Sequence, residues 1–245
     1  MRCLRPVAVL LALSALPRYA HTQGGEGFLF REPRSMLTVR TGWAAANARS
    51  DVFSFTTDQL TVNHGDFSSP AFDAEYTYRV LPRVQIAATL GVSSANKDSE
   101  FRRYVDNNDL PITQSFSFVR VPITVGVKAY LLPTGRTIGK YAWIPSRVAP
   151  YVGAGAGTMY YRFHQSGDFV DLQTLDVFPS QFESSGFAFT ANGRAGAEYA
   201  LGTHIAVTGE VRYVYARAHL ARDFQGFEPI DLSGVSTLAG LAIRF

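Results

Sequence analysis

The chain has 245 residues, 47% of them hydrophobic and only 18% charged. That apolar content, with a net charge of +3, excludes an intrinsically disordered chain. A single cysteine, Cys3, excludes a disulfide framework and a cysteine-based zinc site.

The excess of positive charge comes from the first twenty residues. They hold Arg2, Arg5 and Arg18 and no acid, so the remainder carries twenty basic residues against twenty acidic ones. Charge therefore gives no support to a nucleic-acid partner. Arg2 and Arg5 precede an apolar run, Val7 to Leu16, that is too short to span a bilayer and has the length of a secretory signal. A buried N-terminal helix fits this charge and length pattern less well. Residues 1–20 are expected to be a signal peptide, with His21 the first mature residue and 21–34 a lead-in. Cys3 lies before the apolar run, so it is not a lipobox cysteine. An exported chain without thiols suits the periplasm or the outer membrane.

Beyond this segment no apolar run reaches the roughly 20 residues of a membrane helix. Period-two alternation recurs instead. Leu37, Val39, Thr41 and Trp43 face away from Thr38, Arg40 and Gly42. Phe72, Ala74, Tyr76, Tyr78 and Val80 oppose Asp73, Glu75, Thr77 and Arg79. After a tight turn, Val84 to Val92 alternate with Gln85 to Ser93. Val119 to Ala129 alternate with Arg120, Pro122, Thr124, Gly126 and Lys128. Tyr151 to Tyr161 is rich in Gly and Ala. Phe187, Phe189 and Ala191 oppose Thr190, Asn192, Arg194 and Glu198. Ile205 to Tyr215 alternate with Ala206, Thr208, Glu210 and Arg212. Val235 to Phe245 alternate with Ser236, Gly240, Ala242 and Arg244. Eight strands are expected, near 35–47, 69–80, 84–94, 114–131, 148–162, 186–199, 205–218 and 232–245.

The connections at 81–83 and 200–204 are short; those near 48–68, 95–113, 163–185 and 219–231 are long. The segment 132–147 is a longer connection on the short-turn side. An even strand number with short turns at one end and long loops at the other is the pattern of an outer-membrane barrel. A soluble sandwich or lipocalin-like binder also alternates. Three features favour the barrel: strands of ten residues or more, the export signal, and aromatics near strand ends. Those aromatics are Tyr76, Tyr78, Tyr130, Tyr160, Tyr161, Tyr199, Tyr213 and Tyr215, expected as interfacial girdles. The fold class is thus all-β: one antiparallel up-and-down transmembrane barrel over 35–245, with long extracellular loops.

Two stretches, Phe116 to Ile123 with Gly126 to Leu131 and Ala149 to Gly157, carry a family likeness, as does the terminal Gly240-Leu241-Ala242-Ile243-Arg244-Phe245. Over residues 27–245 the chain resembles the small outer-membrane β-barrel domain family, the eight-stranded OmpA/OmpX-like barrels. The resemblance implies outer-membrane lipid as surroundings. It also implies that Leu241, Ile243 and Phe245 are the signal read by the outer-membrane assembly machinery. The family carries no common catalytic residues, so none transfers.

The inward faces hold Arg40, Asp73, Glu75, Arg79, Arg120, Lys128, Arg194, Glu198, Glu210, Arg212 and Arg244. An eight-stranded barrel has room for side chains but not for an open pore. Buried charges must pair or stay hydrated, so a salt-bridged lumen network is expected, with Arg194 opposite Glu210. His164 near Ser166 and Asp168, and His64 near Asp66 and Ser68, form no recognisable catalytic motif. Asp168, Asp171 and Asp176 match no standard calcium loop and read as turn chemistry. Gly153, Gly155 and Gly157 lack the Lys-Ser/Thr of a phosphate loop and are expected to let the strand bend. No catalytic, cofactor or metal site is expected. The function expected is a structural or surface-interaction protein of the outer membrane, its extracellular ligand unspecified. The alternatives are a narrow channel and a lipid-modifying barrel enzyme.

Overall fold

A computed structural model describes residues 28–105, 109–139, 142–171, 174 and 176–245. The expected signal peptide and the cleavage before His21 lie outside these residues. The strands are β1 Ser35–Ala46, β2 Ser69–Leu81, β3 Val84–Val105, β4 Pro111–Tyr130, β5 Gly135–Ile138, β6 Ala142–Pro145, β7 Val148–Val170, β8 Val177–Ala200, β9 Ile205–Ala218, β10 Ile230–Asp231 and β11 Gly234–Arg244. Among the described residues there is one α-helix, α1, over Asp51–Gln59, besides two short 3-10 turns at His64–Phe67 and Arg222–Phe224.

Eight of the strands close into a ring, in the order β1-β2-β3-β4-β7-β8-β9-β11 and back to β1. Every neighbouring pair is antiparallel. Closure matters physically, because an open edge in hydrocarbon would leave backbone groups unpaired at several kcal/mol each. The seam between first and last strand is continuous, from Met36 opposite Arg244 to Ala46 opposite Gly234.

Alternation sets the two faces. Val39, Phe72, Leu90, Val125, Val211 and Leu241 point outward and are exposed, and Phe187 and Phe189 are about 71% and 69% exposed. Such an apolar exterior requires lipid, since in water it would drive aggregation. Most outward aromatics fall toward strand ends: Tyr76, Tyr78, Tyr199 and Phe245 at the end with the short turns, Trp43, Tyr213 and Tyr215 at the other, while Phe187 lies within the long β8. Two expected girdle residues behave differently. Tyr130 and Tyr161 are inside and buried, because their positions carry the inward parity of β4 and β7.

About ten residues cross a bilayer in a tilted strand. β1, β2, β9 and β11 have 11–14 residues, whereas β3, β4, β7 and β8 have 20–24. Much of the length expected as loop at 95–113 and 163–185 is therefore strand. It forms a four-stranded wall projecting beyond the membrane, paired out to Val105 opposite Pro111 and Val170 opposite Val177. A projecting wall has two open edges, which are hazards for unwanted strand pairing. The loop after β1 covers the β3 edge: Thr61 donates its N–H to the Glu100 carbonyl, and the Arg102 guanidinium donates to the carbonyls of Leu60 and Val62. On the β8 edge, Glu183 donates its N–H to Asp223 of the loop after β9. Four residues further from the membrane stands Pro179, at a position of the same parity. Its missing N–H removes a donor from the open edge.

The other two long loops fold down into the barrel mouth. α1 buries Val52, Phe53 and Thr56. The Phe53 ring packs edge-on against Phe67, Phe118 and Phe163 at centroid distances of 4.6, 5.5 and 5.7 Å. Phe224 of the loop after β9 joins from the other side, 5.5 Å from Phe163. With Val52, Leu60, Val62, Met159, Ile230 and Leu232 they form the apolar core of the molecule. The two loops are also tied to each other, since Asp231 donates its N–H to the Ser50 hydroxyl.

The longer segment on the short-turn side is the β5–β6 hairpin. The Trp143 indole packs over Gly135, where a Cβ would collide with the ring. Leu29 of the lead-in pairs with Trp143. Glu32 pairs with Arg79, and Arg79 donates its backbone N–H to the Arg34 carbonyl. The lead-in thus lies across the barrel end where the chain enters.

Candidate functional site: the lumen charge network

Below the apolar plug the lumen is filled by one connected ion-pair network. Arg40 donates from Nε to Asp73 at 2.9 Å and from Nη1 to Glu210 at 3.0 Å, and its Nη2 lies 3.2 Å from Glu75. Arg212 bridges Asp73 at 2.7 Å and Glu210 at 2.8 Å. Glu75 also pairs with Arg194 and accepts from the Thr89 hydroxyl at 3.2 Å. Lys128 lies 2.7 Å from Glu198 and 3.7 Å from Glu75, and Arg244 donates to Glu198 at 3.1 Å. The Tyr130 and Tyr151 hydroxyls donate to Glu198 and Glu210 at 2.5 and 2.9 Å. These charged side chains are almost wholly shielded.

Taking so many charges out of water is costly and is offset only by complete pairing. Among the described residues, the network holds five cations and four carboxylates. The Lys128 ammonium lies 3.9 Å from the centroid of the Tyr151 ring, a cation–π contact that helps to offset the odd charge.

Small residues make the room. Gly153 and Gly155 point inward on β7, and a Cβ at Gly153 would stand 3.0–3.2 Å from the Arg194 side chain. The glycine run of β7 thus gives space to long cations. At Gly196 the Tyr151 ring fills the same kind of gap, 2.7 Å from a Cβ placed there.

Two residues of the expected network stand apart. Arg79 sits at the barrel end and pairs with Glu32. Arg120 lies higher, over the Phe118 ring at 5.1 Å, with Nη1 3.4 Å from the Leu232 carbonyl. The expected pair of Arg194 with Glu210 does not form. β8 and β9 are shifted by two residues from a turn centred on Gly202, so Arg194 stands opposite Arg212 and reaches Glu75 across the lumen. Opposed arginines repel, which is why both turn to carboxylates on β2. Tyr130, Tyr151 and Thr89 belong to the network and are not among the expected site residues; inward parity was the available signal for Tyr130 and Thr89, whereas the Gly/Ala-rich stretch around Tyr151 carries no clear alternation.

Elsewhere, the Ser166 hydroxyl bonds to Ser115 at 3.0 Å, and His164 Nδ1 lies 3.7 Å from Glu183. Asp66 accepts from the Asn63 N–H, and Asp171 accepts from the Thr174 N–H. Both are local turn bonds. Leu241, Ile243 and Phe245 face lipid, and the Phe245 ring lies 6.4 Å from Tyr76.

A closed antiparallel ring of eight strands with an apolar exterior and a charged, filled interior defines a transmembrane β-barrel of the outer membrane. The chain belongs to the outer membrane protein beta-barrel domain family, whose model matches residues 7–232. It is similar to the N-terminal β-barrel domain of OprF from Pseudomonas aeruginosa, at 12% identity and TM-score 0.36, covering 88% of this chain and 100% of that one. It is similar to Neisserial surface protein A, at 14% identity and TM-score 0.40, covering 86% and 96%. It is also similar to the attachment invasion locus protein Ail of Yersinia pestis, at 12% identity and TM-score 0.41, covering 86% and 99%. Among curated proteins none matches the sequence.

Proposed function

We propose that this outer-membrane protein is a non-conducting, non-catalytic barrel whose task is to hold a rigid four-stranded wall at the cell surface for contact with an extracellular partner. The observation that carries this reading is the filled interior. The path along the axis meets the aromatic plug around Phe53, then the paired charges around Arg40, then the lead-in held by Glu32 and Arg79. An apolar plug gives ions no hydration, and a network whose carboxylates each hold two or more cations leaves no ring of like charge to draw them through. Against a lipid-modifying enzyme stands the arrangement at Ser166, whose hydroxyl is engaged with Ser115 at 3.0 Å.

The wall suits surface contact because its core is shared with the plug, so its geometry is fixed before any partner arrives. Its tips carry exposed Val105, Leu110 and Phe178. The deciding experiment is conductance across planar bilayers after reconstitution. A closed baseline is expected, and sustained channel steps would replace this reading with the channel. Mass spectrometry of lipid A should be the same with and without the protein; a modified lipid would favour the enzyme.

A further inference from the structure

The short-turn end of the barrel is strongly asymmetric in charge. The described parts of its lead-in, turns and β5–β6 hairpin carry Arg31, Arg34, Arg83, Arg136 and Arg147, all exposed, while their one acidic side chain, Glu32, pairs with Arg79. One of these arginines is held in a defined place. Tyr199 has the outward parity of β8, so its ring faces lipid at the rim. Arg147 donates from Nε to the Tyr199 hydroxyl at 2.8 Å, with its guanidinium carbon 5.6 Å from the ring centroid. Ala200 donates its N–H to the Arg147 carbonyl, which fixes the backbone beneath. Beside this pair opens a notch of about 380 Å³, lined by Pro145, Arg147, Tyr199, Ala200, Leu201 and Gly202. Leu201, 62% exposed, gives the notch an apolar floor.

We infer that this notch binds the phosphodiester headgroup of an anionic phospholipid in the inner leaflet of the outer membrane. Nε is used by tyrosine, and among the described residues no hydrogen bond or ion pair engages the two Nη groups, which form a fork suited to phosphate oxygens. The notch is amphipathic: it sets the Arg147 guanidinium beside the lipid-facing Tyr199 ring, with Leu201 of the adjoining turn exposed next to it. A soluble phosphate would use the cation alone. The surrounding arginines add attraction for an anionic headgroup over a zwitterionic one, at about 1 kcal/mol for each basic side chain near the surface.

The test is native mass spectrometry of the folded, detergent-solubilised protein, titrated with phosphatidylglycerol, with phosphatidylcholine of the same acyl chains, and with soluble glycerol phosphate. Phosphatidylglycerol should be retained, and the other two should stay at background. Arg147→Gln should weaken phosphatidylglycerol binding about fivefold. Tyr199→Phe, which keeps the charge but frees the guanidinium, should weaken it by less. Arg162→Gln, in the extracellular wall, should leave it unchanged. Heat-modifiable gel mobility confirms that each variant is folded. Equal retention of the two phospholipids, glycerol phosphate binding as well as the lipid, or an unchanged titration for Arg147→Gln would overturn the inference. None of these results depends on whether the barrel conducts.

Discussion

Arg40 on β1 and Glu210 on β9 are 170 residues apart in sequence and 3.0 Å apart in space. β11 lies between their strands, and the residue it presents opposite Arg40 is Gly240. The arginine stem passes over that glycine: a Cβ there would stand 2.8 Å from Arg40 Cγ and collide with the Val39 carbonyl. A missing side chain on one strand thus allows an ion pair between its two neighbours.

Gly240→Ala should therefore be costly although it adds one methyl group. Overpacking of this kind costs about 1–3 kcal/mol, and here the displaced atoms belong to the seam that closes the barrel. Urea unfolding of the purified barrel should show a lower midpoint. A midpoint equal to the native one would mean that Arg40 moves aside freely.

Glu75 is the carboxylate shared by Arg40, Arg194 and Lys128. Replacing it with Ala leaves three buried cations short of a partner, and the expected loss is about 3–5 kcal/mol. Glu32→Ala, at the partly exposed rim pair with Arg79, should cost less than about 1 kcal/mol. Comparing the two in the same denaturation assay separates lumen pairing from rim pairing. Equal effects would contradict the network as the source of lumen stability.

Phe53→Ala removes the ring at the centre of the plug. Truncation of a buried phenylalanine costs about 3–5 kcal/mol, but here the cost should fall on the loops. α1 and the loop after β9 are held mainly by this cluster, whereas the strands are held by their ladders. Hydrogen exchange in 51–59 and 222–232 should accelerate while the membrane strands stay protected. Acceleration in the strands as well would show that plug and barrel unfold as one unit.

Phe245 is outward-facing, and its backbone closes against Ser35. Burying such a ring in lipid is worth roughly 1.5–3 kcal/mol, too little for its loss to unfold a closed barrel. If the ring is also the mark recognised by the assembly machinery, deleting Phe245 should impair insertion in cells more than refolding of purified protein into detergent. Heat-modifiable mobility of both preparations is the measurement. Equal damage in the two would reduce Phe245 to an ordinary stabilising contact.

Parity was legible in most strands, though not in the Gly/Ala-rich stretch from Tyr151 to Tyr161. The alternation of Asp73 and Glu75 with Phe72, Ala74 and Tyr76 assigned one face of β2 to the lumen and the other to lipid, because the β period is two and a bilayer tolerates charge on only one side. The same parity placed Arg40, Lys128, Arg194, Glu198, Glu210, Arg212 and Arg244 on inward faces. What it could not give was their partners. Arg194 meets Glu75 and not Glu210 because partner choice depends on strand register and on reach across the lumen, and a two-residue shift leaves parity intact. The plug was equally hidden. Val52, Phe53 and Thr56 form a face only on a nine-residue helix, too short to stand out as a periodic signal, and its partners Phe118, Phe163 and Phe224 come from distant segments. Local chemistry thus fixed which way each side chain points, since that is set by backbone geometry at the residue itself. Closure of the ring alone decided which of them touch, since those contacts join residues far apart in the chain.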